Sequence, residues 1–136
     1  MHRVALALYL SVLTSFSSAE EPLAGSLGQA DIRQIVGAVL TQKDVAMYLH
    51  PEVAGRVPVK VAIDAPYSNI PVDFDLYGQP VKVVAAAAGA VTLVITPTAD
   101  GALVQVSYRL EGMAGTVLFR KAQRHWKVIR ASVYEH

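Results

Sequence analysis

The sequence predicts an α+β fold in which an N-terminal helix packs on a curved, mainly antiparallel sheet of about five to six strands. Apolar residues recur with helical spacing early in the chain. After Gly55 the pattern changes to the alternation of apolar and polar residues that is typical of strands. Short turn-forming stretches join the last three strands, which predicts an antiparallel meander.

The helix is predicted from a single apolar stripe. The stripe consists of Ile32, Ile35, Val36, Val39 and Leu40. These positions share one helical face, which predicts that this face is buried on the sheet. Either Ser26 or Asp31 is placed to cap or charge the first turn. Asp44 is the expected cap of a short second helix that Pro51 ends, the alternative being that the first helix continues.

The strands are predicted where the alternation is clear. Their expected ranges are 56–64, 72–76, 81–84, 91–95, 102–110, 116–121 and 126–135. Leu110 falls on the apolar face of its strand, together with Tyr108. The Ala–Gly stretch 85–90 has little side-chain bulk and is interpreted as a close-packed strand or a bulge.

The first 19 residues are predicted to be a secretory signal peptide. A short basic start precedes an apolar run, Val4 to Leu13, which is too short to cross a bilayer because about 20 apolar residues are needed. Small residues then lead to an expected cleavage between Ala19 and Glu20. The sequence therefore predicts an exported protein, periplasmic or secreted, with one domain at 20–136, of which 20–28 is flexible and no segment spans a membrane.

Composition narrows the possible functions. The chain has no cysteine, which excludes disulfides, thiol catalysis and zinc–thiolate sites and favours a bacterial periplasm or exterior. The formal net charge is only +1, so bulk charge does not predict a nucleic-acid partner. Basic residues cluster in "RKAQRHWKVIR", which includes Arg120 and Arg124. This cluster is either a solvated strand face or a basic patch for an acidic partner.

The stretch "LFRKAQRHWKVIRASV", Leu118 to Val133, carries a resemblance. A strand ends in a polar turn, and Trp126 then opens the last strand. With a helix ahead of the sheet, this resembles the NTF2-like and cystatin-like α+β superfolds. The resemblance implies a tryptophan that packs back over a strongly curved sheet. These superfolds host many functions, so the fold alone does not decide this one.

The stretch "YLHPEVAGR" brings four chemically active side chains together: Tyr48, His50, Glu52 and Arg56. It is either part of an active site or the end of a helix that turns into the sheet. Some NTF2-like enzymes move a proton with an Asp and a Tyr inside the cone of the sheet. The resemblance therefore implies Tyr48 or Tyr108 as a proton donor and an aspartate as the base, and His50 is a further catalytic candidate because its imidazole can transfer a proton.

The sequence gives little support for a metal site. Asp73 and Asp75 supply too few oxygens for calcium, and the histidine spacing does not predict zinc. Asp64 lies, like both of these aspartates, on the polar side of its strand. No metal or cofactor is expected.

One short helix is small for a sheet of this size. The remaining apolar face is an open pocket, is covered by a partner or second copy, or is closed by the N-terminal segment and loops. The predicted function is a small exported, non-enzymatic domain that binds a protein, of inhibitor, immunity or accessory type. The alternative is an NTF2-like binder of a small apolar ligand, or a proton-transfer isomerase or lyase. The predicted binding residues are Arg120, Arg124, Trp126, Tyr108 and Phe74.

Overall fold

The N-terminal apolar stripe forms the predicted helix. A computed structural model describes residues 27–136, in which helix α1 spans Gln29–Thr41 and helix α2 spans Lys43–Ala46. Every residue of the stripe is fully buried in the core. The predicted signal peptide, its cleavage site and residues 20–26 of the predicted flexible lead-in lie outside the described residues. Within the described range, no helix is long and apolar enough to cross a membrane.

The ends of α1 are set by Gly28 and Gln42. The Gly28 backbone N–H donates to Asp31 Oδ2 at 2.9 Å, so Asp31 stabilises the first turn as expected. The prediction that Asp44 caps α2 is wrong. Gln42 is the cap, and its Oε1 accepts hydrogen bonds from the backbone N–H groups of Asp44 at 2.8 Å and Val45 at 3.2 Å. Its backbone is extended, which ends α1, and its long side chain reaches forward to the next helix.

Eight strands follow the helices in the described part of the chain. They are β1 Lys60–Ile63, β2 Asp75–Leu76, β3 Gln79–Pro80, β4 Lys82–Val83, β5 Val91–Pro97, β6 Gly101–Tyr108, β7 Met113–Ala122 and β8 His125–Glu135. Six of them form one sheet in the order β4-β1-β5-β6-β7-β8, and β2 pairs only with β3. Strands β5 to β8 pair antiparallel in sequence, so the predicted meander and the α+β class are confirmed.

One half of the sheet differs from the prediction. Strand β1 lies between β4 and β5 and is parallel to both. Val61, Ala62 and Ile63 are all buried, as is typical of a strand covered on both faces rather than on one. The Ala–Gly stretch is neither a strand nor a bulge. Residues 85–89 form an exposed loop, since alanine side chains provide little apolar surface to hold a segment on the sheet.

The apolar face of β6 ends at Tyr108, whereas the sequence predicts that it continues to Leu110. Leu110 does not follow Tyr108 into the core but lies on a 3₁₀ turn, Arg109–Glu111, with 49% of its surface exposed. Gly112 follows in the left-handed conformation with φ of 63°. This turn reverses the chain into β7 and takes Leu110 out of the strand, which corrects its predicted burial.

The inner face, defined as the side of the sheet that faces α1, is covered by more than the helix. The connection between β1 and β2 contributes Tyr67 and Val72, which are buried in the same core as Leu93 and Phe119. Leu49, just after α2, joins them. Of the three ways to cover this face, closure by loops therefore holds for the described residues.

Candidate functional site

Trp126 is held in a defined orientation at the start of β8. Its indole N–H donates to Asp31 Oδ1 on α1 at 3.1 Å, across the junction of helix and sheet. The indole also meets the ring of Phe119 edge to face, with the ring centroids 6.5 Å apart. A hydrogen bond and an aromatic contact together restrict rotation of this half-buried ring. Trp126 therefore presents a fixed apolar surface.

Asp31 is the polar anchor of this arrangement. Its carboxylate accepts from Lys121 Nζ at 2.8 Å, from the Gly28 backbone N–H at 2.9 Å and from Trp126. Burial alone would raise the pKa of Asp31. The hydrogen bonds from Lys121, Gly28 and Trp126 outweigh burial and hold this pKa below its ordinary value. The ionised carboxylate thus links α1 to the ends of β7 and β8.

The lowered pKa gives a prediction for stability. A carboxyl whose pKa is lower in the folded state stabilises the protein above its unfolded-state pKa, and this stabilisation is lost as the pH falls through the folded value. We expect Asp31→Asn to lower the melting temperature at pH 7. The difference from wild type should shrink below about pH 4, the usual range of an aspartate.

The measurement is thermal unfolding at pH 7, 5, 4 and 3, with Asp64→Asn as the control at an exposed aspartate. The control should follow the wild-type curve at each pH. An Asp31→Asn deficit that stays constant down to pH 3 would contradict the assigned hydrogen bonds.

An open cleft of about 440 Å³ lies beside Trp126. Helix α1 forms one side, and the start of β8 and the loop before β2 form the other. The lining residues are Arg33, Gln34, Gly37, Ala38, Asp73, Phe74, His125 and Trp126. The volume lies within the usual range for ligand sites, roughly 300–1,000 Å³, and can hold an apolar side chain with its flanking backbone.

Two of the predicted binding residues meet in this cleft. Phe74 and Trp126 form its aromatic surfaces, and the bare backbone of Gly37 lies beside the Phe74 ring. A β-carbon at Gly37 would be 3.9 Å from Phe74 Cε1, which is ordinary contact, so the glycine widens the cleft without being required by packing. Arg33 stands at the rim, with Nη1 3.5 Å from Asp73 Oδ2.

The other three predicted binding residues lie elsewhere. Arg124 is exposed in the turn that precedes His125. Arg120 projects from the outer face of β7, because Phe119 before it points inward, and it pairs with Asp100 at 3.4 Å. Tyr108 is buried at the far end of β6. The five residues therefore do not form one surface.

The stretch "YLHPEVAGR" forms a second polar cluster, at the end of the sheet that carries Tyr108. Arg56 Nη2 donates to Glu111 Oε2 at 2.7 Å, and the Arg56 guanidinium lies 5.6 Å from the centroid of the Tyr108 ring. His50 lies between two carboxylates, with Nδ1 3.1 Å from Glu52 Oε1 and Nε2 3.2 Å from Glu111 Oε1. The segment after α2 is thereby tied to the 3₁₀ turn.

The charges in this cluster stabilise one another. The hydrogen bond to Glu111 raises the pKa of Arg56 although burial opposes it. The backbone N–H of Glu52 and then His50 lower the pKa of Glu52. Both ring nitrogens of His50 face a carboxylate, which leaves neither directed at a substrate. This geometry favours a structural role for His50 and Tyr108, and Tyr48 packs against the core.

The side-chain contacts that the sequence did not predict join residues that are far apart in the chain. Asp31 was interpreted only as a helix-start residue and Lys121 only as part of a basic run, although they pair across 90 positions of the chain. Arg56 and Glu111 pair across 55 positions. No local pattern marks such partners. Among the described residues, no group of His, Asp and Glu is arranged to hold a metal ion.

Comparisons with family models, curated proteins and solved structures give no match for this chain, so its function has to follow from the geometry described above.

Proposed function

We propose that this chain is a small exported, non-enzymatic domain that binds another protein through the cleft beside Trp126. The observation that carries the proposal is the fixed indole at the edge of an open apolar cleft. Aromatic side chains held in place by their neighbours are favourable binding anchors, because little conformational entropy is lost when a partner covers them.

The setting of Trp126 supports this role. The ring is hydrogen-bonded to Asp31 and packed on Phe119, so the partner meets a surface that is already ordered. Phe74 and Ala38 extend the apolar surface, and polar side chains at Arg33 and Gln34 surround it. An apolar centre with a polar rim is the usual arrangement of a protein interface.

The alternative is a small apolar ligand, or proton transfer, inside the cone of an NTF2-like sheet. The resemblance to NTF2-like and cystatin-like folds remains part of the proposal, and the helix before the meander and Trp126 at the start of β8 support it. No specific observation favours the cone itself. Leu93, Val104 and Val117, on the inner face, are fully buried by the helix and loops.

The proposal can be tested by site-specific photocrosslinking in the native host. A benzoylphenylalanine in place of Gln34, an exposed residue of the cleft, should give a discrete adduct with a protein of another sequence. Trp126→Ala should reduce the yield about tenfold or more, as expected for a central aromatic anchor. Trp126→Leu removes the aromatic ring but keeps apolar bulk, and it serves as a second variant if the alanine variant does not fold.

The matched control is the same crosslinker in place of Gln105, which is exposed on the outer face of β6. It should not give the same adduct. An adduct that forms equally from Gln105, or that persists in folded Trp126 variants, would rule out the cleft as the binding site. An adduct only with a second copy of the chain would replace the proposal with self-association.

A further inference from the structure

We propose that strand β8 pairs with β8 of a second copy of this chain, antiparallel and about a two-fold axis through Ser132. This inference concerns an edge of the sheet rather than the cleft and goes beyond the proposed function. It follows from three features of β8: a long edge without a neighbouring strand, the direction of its free backbone groups, and side chains that match the same strand in the reverse direction.

Strand β8 is long for an edge strand. It ends the six-stranded sheet with 11 residues, whereas β4 at the opposite edge has two. Among residues 27–136, the backbone of β8 pairs with β7 alone. Natural edge strands are commonly short or covered, because their unpaired backbone groups can pair with another strand. The apolar side chains of Val128, Ile129 and Tyr134 are also exposed, so β8 has the properties of an association site.

A bulge limits the part of β8 that another strand can use. The register with β7 shifts between Val128 and Arg130, which leaves Ile129 as the extra residue. A bulge interrupts the regular spacing of backbone groups along its strand. The regular part that is available to a second strand is therefore 130–135.

The backbone groups of this part point alternately to β7 and away from it. The His136 N–H donates to the carbonyl oxygen of Gly112 at 2.8 Å, on the side of β7. Because successive residues of an antiparallel strand direct their N–H and C=O groups to opposite sides, those of Ala131, Val133 and Glu135 point away from β7. A second strand can therefore bond to these three residues while every bond to β7 is kept.

The side chains select one register. Opposite residues of antiparallel strands face the same side of a sheet, so a two-fold axis perpendicular to the sheet passes through a residue rather than between two. With the axis at Ser132, Ala131 of each copy exchanges backbone hydrogen bonds with Val133 of the other. Arg130 then lies opposite Tyr134 on the outer face, where a guanidinium and an aromatic ring attract each other.

The two neighbouring registers fit less well. An axis at Val133 sets Arg130 opposite His136, which is a like-charge pair when the imidazole is protonated. An axis at Ala131 sets Val133 opposite the bulged Ile129, where regular pairing ends. Of the three registers, the one with the central serine therefore matches side chains on both faces. This match is between β8 and its own sequence, which makes a second copy the occupant.

The Tyr134 ring is already oriented for this contact. It meets the His136 ring edge to face, with the centroids 5.2 Å apart and the ring planes at 85°. Ala114, opposite Tyr134 on β7, is too small to cover the ring. The phenol is 54% exposed in the single chain and can contact Arg130 of a second copy without moving from this position.

Pairing of this kind places both clefts on the same side of the joined sheet. A two-fold axis perpendicular to the sheet turns each copy in its own plane, so the two inner faces point in the same direction. The cleft beside Trp126 lies on that face, between α1 and the start of β8. The dimer therefore presents two clefts to one surface, which raises the strength of attachment without any new contact.

Single cysteine substitutions test the register directly, because the chain contains no cysteine of its own. Opposite Cα atoms of a non-hydrogen-bonded antiparallel pair are about 4.5 Å apart, which a disulfide can span. We expect Ser132→Cys to form a disulfide-linked dimer under mild oxidation, visible on a non-reducing gel. Gln105→Cys is the matched control on the outer face of β6, equally exposed but away from the edge, and should remain monomeric.

Sedimentation velocity of the unmodified chain measures the association itself. Pairing over 130–135 is a small interface, so we expect a weak dimer that increases with concentration up to about 1 mM. Ser132→Lys sets two like charges opposite each other at the axis and should raise the dissociation constant about tenfold or more. Gln105→Lys adds the same charge to the outer face away from β8 and should leave the dissociation constant unchanged.

Three results would overturn the inference. The first is an unmodified chain that stays monomeric up to about 1 mM. The second is equal disulfide formation by Ser132→Cys and Gln105→Cys, which would indicate random collision. The third comes from benzoylphenylalanine in place of Ser132 in the native host, where an adduct with a protein of another sequence would assign the edge to that protein. Crosslinking from Gln34 decides the proposed function separately from all three.

Discussion

Replacing Phe119 with alanine is expected to lower the free energy of unfolding by about 3–5 kcal/mol, the usual cost of removing a large buried aromatic side chain. Phe119 is 1% exposed and is the largest fully buried side chain in the described core. It lies on β7 opposite Ala102 on β6 and Val128 on β8, near the end of the meander that carries Trp126. Small neighbours such as Ala102 cannot fill the space that the ring would leave.

Urea unfolding, followed by circular dichroism, measures this change. Tyr134→Ala is the matched control, since it also removes an aromatic ring from the sheet but from a position that is 54% exposed. The control should cost less than about 1 kcal/mol. A loss below 1 kcal/mol for Phe119→Ala would show that β7 is not packed in the core as described.

Phe119→Ala also tests whether packing in the core affects binding in the cleft. Phe119 supports the edge of the Trp126 ring, and its removal leaves the indole held mainly by Asp31. We therefore expect a lower crosslinking yield from Gln34 even at temperatures where Phe119→Ala is fully folded. Loss of stability and loss of binding would then have a common structural origin.

Local patterns predicted the parts of the fold that depend on local contacts. The stripe from Ile32 to Leu40 predicted α1, and short connections predicted the antiparallel meander of the last three strands, β6 to β8. The parallel pairing of β1 was missed because its neighbours, β4 and β5, are separated from it by long connections. The cover supplied by Tyr67 and Val72 was missed for a similar reason, since a proline-rich loop gives no periodic signal of burial.

In the candidate site, too, local sequence patterns predicted individual residues but not the contacts between distant ones. Phe74 and Trp126 were selected separately as apolar residues on strands, and only the fold brings them to one cleft. The stretch around His50 was singled out because it brings four chemically active side chains together. Its partner Glu111, however, lies on the turn after β6, and the sequence did not predict that the stretch would be occupied by internal ion pairs.

The arginine–carboxylate pairs at the two ends of the sheet differ in exposure and in distance. At the Tyr108 end, Arg56 is 14% exposed, and its contact with Glu111 is short at 2.7 Å. At the Trp126 end, Arg33 is 41% exposed, and its contact with Asp73 is longer at 3.5 Å. The first pair is sequestered and ties the segment after α2 to the 3₁₀ turn, whereas the second is open to solvent.

Gly115→Ala is expected to destabilise the protein by about 2–3 kcal/mol, the upper part of the usual range for overpacking. Gly115 lies on β7 opposite Val133 on β8. A β-carbon at this position would collide with the carbonyl oxygen of Ser132 and lie 2.8 Å from Val133 Cα. These are backbone atoms of a paired strand, so the contact cannot be relieved by a side-chain rotation and β8 itself has to move.

Gly89→Ala is the control for this variant, because a β-carbon at Gly89 meets no atom within 4 Å. It should change stability by less than about 0.5 kcal/mol, as is usual for surface substitutions. Chemical unfolding of both variants gives the comparison directly. If Gly115→Ala were as stable as wild type, β7 and β8 could not approach as closely as described. The placement of Trp126, which depends on the position of β8, would then need to be revised.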